Sequence, residues 1–156
     1  MNEKPNVPLV DETVSINCPI AKVFEFVSDH ENYIRWYPGV VAVTSADGLA
    51  PGAVGKVYNE ILRLPSGRRR AFDIKVVESR TPEFFATEGT LAPLHPRMEM
   101  RLTAKSEIET ALNLRFFSRN QSAAGRLLIG ALAPRAIRPQ ALAALAKLKS
   151  ILNATR

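Results

Sequence analysis

The spacing of apolar residues changes twice along the chain, and this change constrains the fold more than any other feature. Between residues 40 and 118, apolar side chains recur at every second position in six short segments, as in strands with one buried face. Before this region, and again after residue 122, the spacing is three or four residues, as on one face of a helix. The sequence therefore predicts an α+β domain in which helices cover one face of an antiparallel sheet.

The elements follow in the order strand, two helices, six strands and one long helix. Residues 11–17 are predicted as the first strand, and Pro19 begins a helix at a position where its missing N–H costs nothing. A second short helix is predicted from Tyr33 to Trp36. The six later strands are predicted at 40–45, 56–64, 70–78, 84–91, 97–105 and 109–118.

The C-terminal segment from Ser122 onward is rich in Ala and Leu and has helical spacing. We expect Pro134 and Pro139 to kink or break this helix, because each removes a backbone hydrogen bond and clashes with the preceding turn. The two resulting pieces have apolar stripes at Leu127, Leu128, Ala131 and Leu132, and at Leu142, Leu145, Leu148 and Leu152.

Length and composition narrow the function classes. The 156 residues suit one domain, placed at 1–156 with its core at about 10–153. Neither an apolar run of about 18 residues nor a secretory signal pattern occurs, so we expect a cytoplasmic protein. One cysteine and two histidines argue against a disulfide framework or zinc site, and no phosphate-binding glycine loop is present. We therefore predict neither a metal nor a cofactor.

The net charge of +6 is unevenly distributed. Residues 1–62 carry 4 Lys/Arg against 8 Asp/Glu, whereas residues 63–156 carry 17 against 7. This asymmetry suits either a solvated surface or an anionic partner. Nucleic acid is disfavoured because the strand aromatics share a phase with aliphatic residues. An anionic membrane surface is the better partner for the arginines at 68–70 and the basic final helix.

Two stretches resemble a known family. Residues 14–19, followed by the Val-Phe-Glu-Phe-Val-Ser-Asp segment at 23–29, and the Asn-Tyr-Ile-Arg-Trp-Tyr-Pro-Gly-Val segment at 32–40 are similar to the START-like superfamily. This superfamily is also called SRPBCC, or polyketide cyclase/dehydrase and lipid-transport proteins. The resemblance implies a helix-grip fold, in which a seven-stranded antiparallel sheet wraps around a long C-terminal helix. Two short helices lie between strands 1 and 2, and the fold encloses an apolar cavity.

The residues in phase on the predicted strands and helices are the candidate cavity wall, although the same residues would also suit a closed core. Trp36 fits a core position as well as a ligand contact. The candidate ligand-binding residues are Tyr33, Trp36, Tyr37, Tyr58, Leu62, Phe72, Ile74, Met98, Met100, Leu112, Leu114, Phe116, Leu128 and Leu132.

Two carboxylates are candidate catalytic groups. Glu60 shares the phase of Tyr58 and Leu62, and Glu88 shares that of Phe84 and Ala86. A carboxyl group in a low-dielectric pocket can act as a general acid or base. The alternative is that each carboxylate faces solvent or pairs with an arginine on a neighbouring strand. His30 and His95 are interpreted as loop residues.

Three functions follow from these patterns. The first is binding of a small hydrophobic or amphipathic ligand (a lipid, an isoprenoid quinone or a polyketide-like molecule) in the cavity between sheet and C-terminal helix. The second is a cyclase or dehydratase that uses Glu60 or Glu88 with Tyr58. The third is a module that docks on a membrane or a protein. Whether the protein is an enzyme, and whether it is a monomer or a homodimer, stays open at this stage.

Overall fold

One antiparallel sheet of seven strands dominates the computed structural model, which describes residues 2–154. The strands are β1 (Val7–Ile16), β2 (Val40–Ser45), β3 (Val57–Arg63), β4 (Arg69–Arg80), β5 (Phe84–Gly89), β6 (Pro96–Ser106) and β7 (Glu109–Ser118). Their order across the sheet is β1-β7-β6-β5-β4-β3-β2. Each strand from β2 onward pairs with its neighbour in sequence, and β1 joins at the edge formed by β7.

Three helices complete the fold. α1 (Ile20–Ser28) buries Val23, Phe24 and Val27, as its apolar spacing predicts. A 3₁₀ turn (His30–Asn32) follows and leads into the single-turn helix α2 (Tyr33–Trp36). The long helix α3 spans Ala123–Asn153. The prediction of a seven-stranded antiparallel sheet with two short helices between β1 and β2 and a long C-terminal helix is confirmed, and this is a helix-grip fold.

Local side-chain contacts hold the two ends of this helical layer. The Asp29 carboxylate accepts a hydrogen bond from the Glu31 N–H at 3.1 Å and begins the 3₁₀ turn. At the start of α3, the Ser122 hydroxyl accepts from the Gly125 N–H at 3.0 Å. The helix entry points are therefore set by short-range hydrogen bonds that the sequence itself supplies.

Helix α3 differs from the sequence prediction in two respects. It runs unbroken through Pro134 and Pro139, so the predicted break is wrong. The predicted first stripe is also wrong, because Leu127, Leu128 and Leu132 are exposed. The residues that pack on the core lie about two positions away from the predicted ones. The side that faces the core is formed instead by Ile129, Ala133, Ile137, Ala141, Ala144, Leu145, Leu148 and Leu152. Packing along this continuous stripe supports the helix where the prolines remove hydrogen bonds.

Among residues 2–154, no helix combines the length and the hydropathy that a membrane-spanning segment needs.

The two faces of α3 predict opposite responses to truncation. Leu148→Ala removes a completely buried side chain and should lower the free energy of unfolding by about 3 kcal/mol. Leu128→Ala removes a side chain that is 62% exposed and should change it by less than about 0.5 kcal/mol. Urea unfolding of both variants measures the difference. Equal losses for the two variants would contradict the assigned helix face.

Candidate functional site

A cavity of about 120 Å³ lies between the concave face of the sheet and the helical layer. A single water needs about 10–15 Å³ of such space, so the cavity accommodates several waters or a small organic molecule. It separates the main core from a smaller apolar cluster of Phe72, Ile74 and Leu91. Its wall is formed by His30, Tyr33, Tyr37, Glu60, Leu62, Phe72, Ile74, Thr87, Gly89, Leu91, Leu94, Pro96, Met98, Phe116, Ile137 and Gln140.

The sheet side of the cavity follows the two-residue repeat of the strands, because every second side chain points to the same face. Gly89 on β5 belongs to this wall and has no side chain. A Cβ atom built there would lie 3.0 Å from Ile74 Cδ1 and 3.1 Å from Pro96 Cγ. Glycine at this position therefore leaves room for the two neighbouring side chains at the cavity surface.

A buried polar pair lies in the cavity wall. His30 Nε2 and Glu60 Oε2 are 2.8 Å apart, and the two residues are only 2% and 6% exposed. The 3₁₀ turn positions His30, and the inward phase of β3 positions Glu60. His30 Nδ1 is buried without a hydrogen-bond partner among residues 2–154. Because one ring nitrogen is committed to Glu60, the other remains available to a bound molecule or a water.

Two tyrosines line the cavity beside this pair. The Tyr33 ring lies 3.8 Å from the His30 ring, centroid to centroid, and its hydroxyl donates to Met98 Sδ at 2.7 Å. Burial, together with the nearby Glu60 carboxylate, raises the pKa of both Tyr33 and Tyr37 above the usual tyrosine value. Both phenols therefore stay protonated near neutral pH, and the Tyr37 hydroxyl is a hydrogen-bond donor facing the cavity region.

The cavity wall carries a distinctive set of charges. Glu60 is its one carboxylate, and none of the lining residues is a lysine or an arginine. The other polar side chains are those of His30, Tyr33, Tyr37, Thr87 and Gln140. His30 is already committed to Glu60, so the wall offers no lysine or arginine to neutralise an anionic head group. Burial of an unpaired anion beside a carboxylate is strongly unfavourable. The geometry therefore suits an uncharged ligand with a hydroxyl or carbonyl group.

The structure divides the candidate ligand-binding residues into three groups. In the cavity wall it places Tyr33, Tyr37, Leu62, Phe72, Ile74, Met98 and Phe116. In the closed core beyond the cavity, where α1 and the second half of α3 pack against the sheet, it places Trp36, Tyr58, Met100, Leu112 and Leu114. Leu128 and Leu132 are 62% and 54% exposed on the outer side of α3, so their assignment to the cavity is wrong.

Of the two candidate catalytic carboxylates, only Glu60 lines the cavity. Glu88 accepts from Arg97 Nη1 at 2.9 Å and lies 3.7 Å from Arg119 Nη1. Glu88 shares the phase of Phe84 and Ala86, and this phase of β5 faces away from the cavity, whereas Thr87 and Gly89 face it. Its assignment as a catalytic group is therefore corrected to a structural ion pair on the outer face.

Sequence reasoning missed half of the cavity wall, namely His30, Thr87, Gly89, Leu91, Leu94, Pro96, Ile137 and Gln140. Ile137 has the same four-residue spacing as Ile129 and Ala133, so the correct helix phase would have identified it. Thr87 shares one face of β5 with Phe85, and Phe84 and Ala86 share the other. Both faces carry apolar residues, so the neighbouring strands decide which face lines the cavity. His30 carries no local signal, because its partner Glu60 lies 30 residues further along the chain.

The His30–Glu60 pair predicts a measurable coupling. His30→Leu leaves a buried carboxylate without its partner and should lower the free energy of unfolding by about 3 kcal/mol. Glu60→Leu leaves the His30 Nε2 atom without its hydrogen-bond partner and should lower the free energy of unfolding by about 1–2 kcal/mol. The double variant should lower the free energy of unfolding by less than the sum of the two single-variant losses, as measured by urea unfolding. Strict additivity would contradict an energetically coupled pair.

Comparison with known proteins agrees with this architecture. The structure is similar to the di-domain aromatase/cyclase StfQ of the steffimycin biosynthetic pathway, with a TM-score of 0.76 and 10% identity over 96% of this chain. This chain covers 51% of StfQ, about half its length. It is also similar to the aromatase/cyclase Zhui from a Streptomyces species, with a TM-score of 0.69 and 17% identity over 92% of each chain.

A START superfamily protein from Mycobacterium smegmatis gives a TM-score of 0.70 at 14% identity, covering 92% of this chain and 99% of that one. At such identities these likenesses establish the fold alone. No curated protein sequence matches the chain. The family model for polyketide cyclase/dehydrase and lipid transport matches residues 8–153. The chain therefore belongs to the polyketide cyclase/dehydrase and lipid-transport family.

Proposed function

We propose that this protein binds a small, uncharged and mostly apolar molecule in the cavity, with a ligand hydroxyl or carbonyl facing Glu60 and His30. The observation that carries the proposal is the cavity itself, whose apolar wall is interrupted by one buried polar pair. Ligand sites generally have this composition, with a few polar groups that orient the bound molecule. The matched family is that of polyketide cyclase/dehydrase and lipid transport, and this description agrees with a largely apolar ligand.

The charge of the wall narrows the ligand class. Fatty acids and phospholipids carry an anionic group, and the lining residues provide no lysine or arginine to pair with it. A neutral quinone, ketone or phenol needs only hydrogen bonds, and these are available from the hydroxyls of Tyr37 and Thr87 and from the His30 ring. We therefore favour a polyketide-like molecule or a quinone over an anionic lipid.

Matched probes test this preference. Acetonaphthone and naphthoate share a ring system, but only naphthoate is an anion. The wild-type protein should bind acetonaphthone at least about tenfold more tightly, because naphthoate places a second negative charge near Glu60. Glu60→Gln should remove most of this preference by strengthening naphthoate binding. Glu88→Gln, on the outer face, should leave it unchanged. Isothermal titration calorimetry at neutral pH measures both affinities.

A second pair of variants locates the binding site. Ile137→Trp places a larger side chain into the cavity from the inner face of α3 and should weaken binding of acetonaphthone by about tenfold or more. Leu132→Trp, on the outer face of the same helix, should bind it as the wild type does. Equal affinity for acetonaphthone in the wild type and in Ile137→Trp would reject the cavity as the site.

The His30–Glu60 pair favours a second candidate function, acid–base catalysis on the bound molecule. A Glu60 carboxylate near the carbon next to a ketone can remove one of its protons, and the C–H electron pair then forms the double bond of an enolate. A phenol such as that of Tyr37 can donate a hydrogen bond to the developing oxyanion. Enolisation of this kind is the first step of cyclisation and of dehydration of β-hydroxy ketones.

Proton exchange tests the second function without knowledge of the natural substrate. In D₂O, the methyl protons of acetonaphthone should exchange faster in the presence of the wild-type protein than in buffer, as followed by proton NMR. Glu60→Gln should remove the acceleration, because the amide is not a base, whereas Glu88→Gln should retain it. If wild type and Glu60→Gln exchange at the same rate while both bind acetonaphthone, the protein is a binding module without this catalytic step.

A further inference from the structure

The outer face of the first half of α3 is an exposed apolar surface that the cavity does not use. Leu127, Leu128 and Leu132 are 78%, 62% and 54% exposed, and Ala124 before them and Ala131 between them are also exposed. These five residues recur at three- and four-residue spacing and form one strip along about three helical turns, which we call the leucine strip. Large exposed apolar side chains grouped in this way mark an interaction surface.

All charged residues of α3, the helix that carries the leucine strip, are basic. α3 contains no Asp or Glu in its 31 residues, and its charged residues are Arg126, Arg135, Arg138, Lys147 and Lys149. Arg135 is exposed three positions after Leu132 and has no ion-pair partner among residues 2–154. Arg138 is paired with Glu12 of β1, with Nε and Oε1 2.8 Å apart. The strip therefore combines apolar side chains with one neighbouring cation, Arg135, that no carboxylate neutralises among the described residues.

A second basic group lies at the same end of the molecule. β7 runs toward this end, because it leads into the start of α3. Four antiparallel pairings separate β3 from β7 in the sheet, so β3 runs in the same direction as β7. The turn after β3 carries Arg68, and β4 begins with Arg69. Both side chains are exposed and have no side-chain partner in the described part of the chain. The leucine strip thus begins at the end of the sheet that also presents free arginines.

We propose that the leucine strip docks this protein on an anionic lipid bilayer, with its leucines in the acyl boundary and its arginines among the head groups. A helix with an apolar strip and a basic flank binds a membrane interface in this way. A second copy of the chain is the less suitable occupant, because two α3 helices would place only basic charged residues in the shared interface, with no acidic residue on either helix to pair with them. This inference goes beyond the proposed function and does not depend on the identity of the cavity ligand.

The position of the strip connects docking to the cavity. Ile137 and Gln140 line the cavity from the inner side of α3, one to two turns after Leu132 on the outer side. A bilayer in contact with the strip therefore lies within about one helix diameter of the cavity wall. An apolar ligand that partitions into the membrane would then have a short path to the binding site.

Vesicle co-sedimentation tests the docking surface. The probes are phosphatidylcholine vesicles with and without 30% phosphatidylglycerol, at low and at high salt. The wild-type protein should bind the anionic vesicles at least about tenfold more tightly than the neutral ones at low salt. Its binding to anionic vesicles should be weaker at high salt, because salt screens the arginines. The triple variant Leu127→Gln, Leu128→Gln, Leu132→Gln should lose at least about tenfold in binding to anionic vesicles. Because these side chains are exposed, its unfolding midpoint should stay close to that of the wild type.

Ile108→Gln is the matched control, because Ile108 is 72% exposed in the β6–β7 turn at the opposite end of the sheet. This variant should bind anionic vesicles as the wild type does. Absence of wild-type binding, equal binding by the triple variant, or equal binding to neutral vesicles would overturn the proposal. So would a concentration-dependent dimer in sedimentation equilibrium that the triple variant abolishes, because the strip would then be covered by a second copy. Titration of the same triple variant with acetonaphthone measures the affinity of the cavity, independently of vesicle binding.

Discussion

The width of the sheet relative to the helix that covers it determines much of this structure. Seven strands spaced by about 4.8 Å span roughly 30 Å, whereas one helix with its side chains is about 10–12 Å wide. α3 lies mainly against β1, so it cannot cover the whole concave face. The 3₁₀ turn and α2 cover part of the remainder. The uncovered region between them, over β3 to β7, is the cavity.

This geometry gives two glutamates of similar sequence context different roles. Glu60 faces the gap, where it is removed from bulk water and paired with His30. Glu88 lies two strands away on the opposite face and belongs to an ion-pair network with Arg97 and Arg119. A carboxylate paired with two guanidinium groups at a half-exposed surface is held as a structural anion. The chemistry available to each carboxyl group therefore depends on the face of the sheet, not on the residue type.

Helix α3 has apolar residues on two sides, an inner side that packs on the core and an outer side that carries the leucine strip. The inner stripe, which includes Ile137 and Leu148, packs on the core and closes one side of the cavity. The outer leucine strip is not needed for that packing, since its side chains remain in solvent. Both faces are apolar, so the pattern of hydrophobic residues alone does not distinguish them. Contacts with β1 decide which face is buried.

The sequence by itself determined the order and type of the elements. Local apolar spacing, turn residues and caps such as Asp29 act over a few positions, so they can be recognised in the sequence without tertiary information. The family resemblance predicted in addition that these elements form a helix-grip fold. The same local rules indicated that Glu60, Leu62, Phe72 and Met98 share the inward phase of their strands.

Only the tertiary structure decided which side of β5 and of α3 faces the core, and it thereby removed Glu88, Leu128 and Leu132 from the site. A two-residue or four-residue repeat defines faces but not their direction, because direction is set by contacts with distant strands. The same holds for His30, whose burial depends on Glu60 in another element. The continuity of α3 through Pro134 and Pro139 also follows from long-range packing, which local helix propensity does not contain.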